Sequence, residues 1–182
     1  MDAPDLTILE TVLLDLSKSS LASFADEHRD EVFYAFGFDC NADYGDVLLC
    51  LNTESDFAKT SQEYIAKWSY GPKELAELRR NFGDWKYQGF NCEQSVWIEA
   101  WKPHADAIER YLFSDELAEE DREIFIEDFL FMVCRVLVHL ERSGALAKLP
   151  KDAGFFTQVM DHDEDLESAE GRLEIVRAEM AG

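Results

Sequence analysis

The stretch from Asp121 to Arg142, DREIFIEDFLFMVCRVLVHLER, most restricts what this chain can become. Between Ile124 and Leu140 only Glu127, Asp128, Arg135 and His139 are polar. At roughly 100° per residue these four fall within about a third of a helix's circumference. The rest of that surface is Phe, Ile, Leu, Val, Met and Cys, so a helix here needs cover on several sides. It is predicted to be the core helix, about 120–143, with other elements packed on Phe125, Phe129, Met132, Val133, Val136 and Leu140. The apolar run is short and interrupted by charge, which excludes a membrane span.

Around that helix the chain reads as one domain, residues 1–182, long enough for a sizeable core. Leu6, Leu9, Val12, Leu13, Leu16 and Leu21 recur at helical spacing and predict a first helix over 5–25. The period then changes. VFYAFGFDC and DVLLCLN, joined by NADYG, read as strand, turn and strand over about 31–52, with Gly45 free to take a positive φ. Val32, Tyr34, Phe36 and Phe38 are expected on one face. The small or apolar residues Phe33, Ala35 and Gly37 between them predict a central strand covered on both sides. Asn52-Thr53-Glu54-Ser55 supplies caps for a helix over 56–68, and 73–82 reads as a short helix.

GDWKYQGFN is read as a loop that packs on the core through Trp85 and Tyr87, with binding as the rival role for the two rings. Residues 93–113 form the next helix, in which Pro103 either makes a kink or starts a new helix. Gly144 is a natural end for the core helix. FFTQVM, about 155–160, is a third strand, followed by an acidic run and a terminal helix over 166–178. The fold class is therefore α+β, with a small, mostly antiparallel sheet packed with several helices.

Three stretches in this order resemble the bacterial family known as domain of unknown function 4303. They are VFYAFGFDCNADYGDVLLCLNTES, RRNFGDWKYQGFN with its D-W-x-Y form, and FFTQVMDHDED before a final helix. The resemblance covers nearly the whole chain. It departs at Lys86, where the family often has Pro, and at Cys50, where a small residue or Pro is common. It implies an α+β domain and no established activity. Members look like proteins encoded near bacterial contact-dependent or secreted toxins, where immunity proteins are common, which implies an inhibitor of a toxin.

The formal net charge is −22. Such a field repels nucleic acid and anionic membranes and attracts basic proteins, although solubility alone also accounts for it. The start, MDAPDLTILE, is acidic and lacks the basic segment of a secretory leader, so a cytoplasmic location is expected. Cys40, Cys50, Cys92 and Cys134 form no C-x-x-C pair and are expected as reduced thiols; a bond between Cys40 and Cys50 across the hairpin is the exception to test.

The chain lacks a glycine-rich nucleotide fingerprint, a phosphate loop, a nucleophile elbow and a zinc-protease helix motif. Cys134 and His139 lie roughly 140° apart on the core helix and cannot act as nucleophile and base. Arg135 has no acidic residue at i±4 and is expected to find its partner on another element. No catalytic residue and no cofactor is assigned. Asp161, His162, Asp163 and Glu164 form the best candidate metal set, and the rival reading is an acidic, solvated exit loop. The expected function is an immunity-type inhibitor whose partner is a basic protein such as a toxin. The residues expected to meet it are Asp43, Asp46, Trp85, Tyr87, Asp161, Asp163 and Glu164. The alternatives are a metal-binding, ligand-binding or enzymatic domain that uses the acidic cluster, or a scaffold with exposed aromatics at an oligomer contact.

Overall fold

The computed structural model describes residues 2–182. Helix α1, Leu6–Glu27, starts at Asp5, whose carboxylate accepts from the Thr7 and Ile8 amides at 2.8 and 3.4 Å. That bond satisfies amides which a helix start leaves without partners. Strand β1, Phe33–Asn41, then leads through a short 3-10 turn into β2, Asp46–Thr53. Gly45 closes the turn at φ 65°, and a Cβ there would meet Ile108 Cδ1 at 2.8 Å, so conformation and space both select glycine. Thr53 caps α2, Glu54–Trp68, by accepting from the Asp56 amide at 3.1 Å. Helix α3 is Pro72–Leu78, with the proline in its first turn.

Helix α4, Ser95–Leu112, runs through Pro103 as one helix. Helix α5, Glu119–Arg142, is the predicted core helix, and all six of its expected contact residues are buried. Each large apolar side chain so buried contributes about 1.5–3 kcal/mol. A chain reversal with Gly144 at φ 74° leads to β3, Lys151–Asp161, which starts earlier than the sequence pattern predicts. Helix α6, Leu166–Met180, ends the fold.

The sheet order is β2-β1-β3, so β1 is central, as its doubly apolar pattern predicts. The hairpin pair is antiparallel and β3 runs parallel to β1, which makes the sheet mixed rather than mostly antiparallel. The register shifts between Phe33 and Ala35. Such an irregularity swaps the faces of the residues on either side of it. Phe33 therefore joins Phe36 and Phe38 in the main core, while Tyr34 turns to the opposite face with Ala35, and Val32 is exposed. This corrects the expectation that Val32, Tyr34, Phe36 and Phe38 share a face.

The main core lies between one sheet face and helices α1, α4, α5 and α6. A smaller core covers the other face: Tyr34, Ala35 and Cys50 meet Phe82 and Trp85. Gly37 belongs to this second layer. A Cβ on it would lie 2.6 Å from Phe82 Cζ and 2.7 Å from the Gln158 carbonyl oxygen. Arg135 finds its partner on another element, as expected: its Nε donates to Glu10 of α1 at 2.8 Å. Among the described residues no helix is long and apolar enough to cross a membrane.

Candidate functional site

Strands β1 and β3 end side by side, and the acidic residues that follow each are brought together there. Asp161 Oδ1 accepts from the Ala42 amide at 2.9 Å, which ties the exit of β3 to the β1–β2 turn. Burial pushes the Asp161 carboxyl above the usual aspartate range; the Ala42 and His162 amides and the Arg172 guanidinium oppose the rise, and Asp43 in the turn adds to it. Burial also raises Asp39, with His162 opposing and Asp161 adding to the rise. Asp43 and Asp163, in the turns that follow the two strands, are exposed. The result is an end of the sheet where Asp161 feels both Asp39 and Asp43, and where Asp43 and Asp163 reach solvent.

Of the residues expected there, Glu164 turns away from this end. Glu164 is committed inward, to the Arg172 guanidinium and the Asp161 amide. His162 and Asp163 are exposed. Among the described residues no three His, Cys, Asp or Glu side chains form a group able to hold a metal ion. Asp46 is exposed and starts β2; burial raises its carboxyl, Lys102 of α4 opposes, and Glu109 and Asp106 add to the rise.

Trp85 is 2% exposed and donates its indole N–H to the Arg79 carbonyl at 3.1 Å, so its ring holds the loop down. Tyr87 is half-buried, and its segment is not a free loop. The Leu51 amide donates to the Tyr87 carbonyl at 2.9 Å, the Tyr87 amide returns a bond to Leu51 at 3.1 Å, and the Phe90 amide donates to Leu49 at 3.1 Å. Asn91 continues the cover, accepting from the Leu49 amide and donating to the Val47 carbonyl. The outer edge of β2 is thereby closed.

A second polar cluster, not legible in the sequence, surrounds Glu31. Lys86 Nζ donates to its carboxylate at 2.6 Å, the Tyr87 hydroxyl donates to it, and His28 Nδ1 lies 3.0 Å away. Burial opposes ionisation of Glu31, but the bonds from Lys86, Tyr87 and His28 outweigh it and hold the group down at about 2. The His28 ring stacks on Phe24, 4.1 Å between centroids. This cluster links the end of α1 to the 85–91 segment, and every member is engaged within it.

The four thiols are free. Cys50 stands opposite Gly37 and Cys40 opposite Val47. The two also belong to different cores on opposite faces, which removes the hairpin disulfide.

A family model described as a domain of unknown function, DUF4303, matches residues 13–176. No curated protein and no solved structure matches the chain.

Proposed function

The chain belongs to the DUF4303 family, and we propose that this member is an acidic protein-binding domain of the immunity or inhibitor type. It works in a bacterial cytosol, and its partner is a basic protein such as a toxin. The observation that carries the reading is the paired end of β1 and β3. There Asp161 is flanked by Asp39 and Asp43, with Asp163 exposed two residues beyond it, and among the described residues none of the four is in an ion pair, in a chain of net charge −22. Like charges held together raise one another's cost, and an incoming lysine or arginine relieves it. Long-range attraction then speeds encounter and makes binding salt-sensitive.

The test is retention of partners from the native host on the immobilised chain, at low and high salt, with mass spectrometry of what is held. One basic protein held at low salt, released at high salt, and lost with Asp43→Lys plus Asp163→Lys is the expected result. Retention that ignores both salt and the two substitutions rules the reading out.

A further inference from the structure

We infer that the groove between β3 and α6 receives an extended, lysine- or arginine-bearing segment of a partner protein, which adds to the sheet as a fourth strand beside β3. The inference rests on the protein-binding reading above and states the chemistry of the bound segment.

The two edges of the sheet are treated differently. The outer edge of β2 is closed by the Tyr87–Asn91 segment. The outer edge of β3 faces no strand. Among the described residues, the backbone groups of 155–160 that point away from β1 have no protein partner. An open row of amides and carbonyls is a template for another chain, and proteins that do not use one usually cover it.

A groove of about 580 Å³ runs along this edge, lined by six consecutive residues of β3, Phe155–Met160. Its other wall is one stripe of α6, in which Ala169, Leu173 and Arg177 recur every fourth residue. Arg177 reaches across from that wall to Thr157 of β3 at 2.7 Å and to Glu141 of α5 at 2.6 Å, which closes the groove at that end. Arg80 and Glu170 also line the groove and pair at 2.7 Å with both side chains at least a third exposed, so they part readily for a ligand.

Gln158 provides a second, independent sign. It lines the groove, is 3% exposed, and donates Nε2 to the Arg80 carbonyl at 2.8 Å, yet its Oε1 has no hydrogen-bond partner among the described residues. Buried amide oxygens are rarely left so, and a donor on an incoming segment would complete it.

Charge selects the occupant. A second copy would bring another −22 against this one. Glu174 and Lys151 both line the groove without an ion-pair partner among the described residues, Lys151 over the Phe155 ring at 5.2 Å from its centroid, so the preference for a cationic segment comes from the charge of the whole chain and Glu174 gives its place in the groove. Side chains alternate along a strand, so a segment hydrogen-bonded to β3 presents every second residue to the α6 wall, where a cationic one meets Glu174.

The test is amide hydrogen exchange of the full chain, titrated with capped six-residue peptides. Three are used: alternating Lys and Val, alternating Glu and Val, and the Lys–Val peptide N-methylated at every residue. The Lys–Val peptide is expected to slow exchange at 155–160, and the other two are not. Glu174→Lys, a substitution on the exposed side of α6, is expected to weaken Lys–Val binding about tenfold. Equal protection by the methylated peptide, or no protection at 155–160 by any of the three, overturns the inference. So does protection at 155–160 that grows with protein concentration alone, which makes a second copy the occupant. A host partner retained as well by the Glu174→Lys chain as by the parent removes the groove while the protein-binding reading stands.

Discussion

Arg172 of α6 donates Nη2 to the carboxylate of Glu164 across the turn that joins β3 to α6, with side chains only 5% and 12% exposed. Glu164 also accepts from the Asp161 amide at 3.3 Å, and Glu127 of α5 stands 3.6 Å from Arg172 Nε. One guanidinium therefore holds the last helix, the last strand and the core helix in register. It also explains why Glu164, which the sequence offers as a surface ligand, faces inward.

Removing Glu164 leaves the buried Arg172 with only the exposed Glu127 carboxylate beside it, 3.6 Å away. Glu164→Ala is expected to cost about 3–5 kcal/mol, while Glu164→Leu combined with Arg172→Met recovers most of the loss. Urea unfolding of the parent and the two variants measures both. Equal stability of Glu164→Ala and the parent contradicts the enclosure of Arg172.

The Glu31 cluster sets a pH dependence with a definite sign. Its folded carboxyl is held down at about 2 against an ordinary 4.5. The stabilisation is therefore complete above pH 4.5 and is lost as pH falls from there towards 2. Glu31→Gln is expected to flatten the stability profile in that acid window, as read by urea midpoints at each pH. An unchanged acid slope in the variant would place the acid sensitivity elsewhere.

Gly37 leaves no room for a Cβ between β1, the covering Phe82 ring and β3. Gly37→Ala brings its Cβ against both the Phe82 ring and the Gln158 backbone and is expected to cost about 1–3 kcal/mol. Differential scanning calorimetry gives the loss. Phe82→Leu in the alanine background should return part of it, because the nearer of the two obstacles is the ring.

Thiol labelling checks the chemistry of the cysteines. In the native chain Cys92 is exposed, and Cys40, Cys50 and Cys134 are buried. Burial pushes the Cys50 and Cys134 thiols up to about 12, which suppresses the reactive thiolate further. A disulfide reagent should modify Cys92 first and the other three only on unfolding. Fewer than four reactive thiols in the denatured, unreduced chain would contradict the free state of all four.

Several features were legible in the residues because they are local. The apolar circumference of α5 could be satisfied only by burial. The aromatic and small residues of β1 required cover on both faces. The cap at Thr53 and the turn glycine Gly45 follow from side-chain chemistry a few residues long, and the charge of −22 needs no fold at all. The tertiary structure decided what depends on distant partners. The irregular register at Phe33–Ala35 sends Tyr34 to the second core, and period alone cannot anticipate it. Glu31, Lys86 and Tyr87 meet only because the turn after α1 and the 85–91 segment, which pairs with β2, are adjacent in space, and Glu164 turns inward only because Arg172 arrives from α6. The open edge of β3 is likewise a matter of which strands find one another. Local spacing records how a residue is placed on its own element, whereas pairing between elements is settled by packing the whole chain.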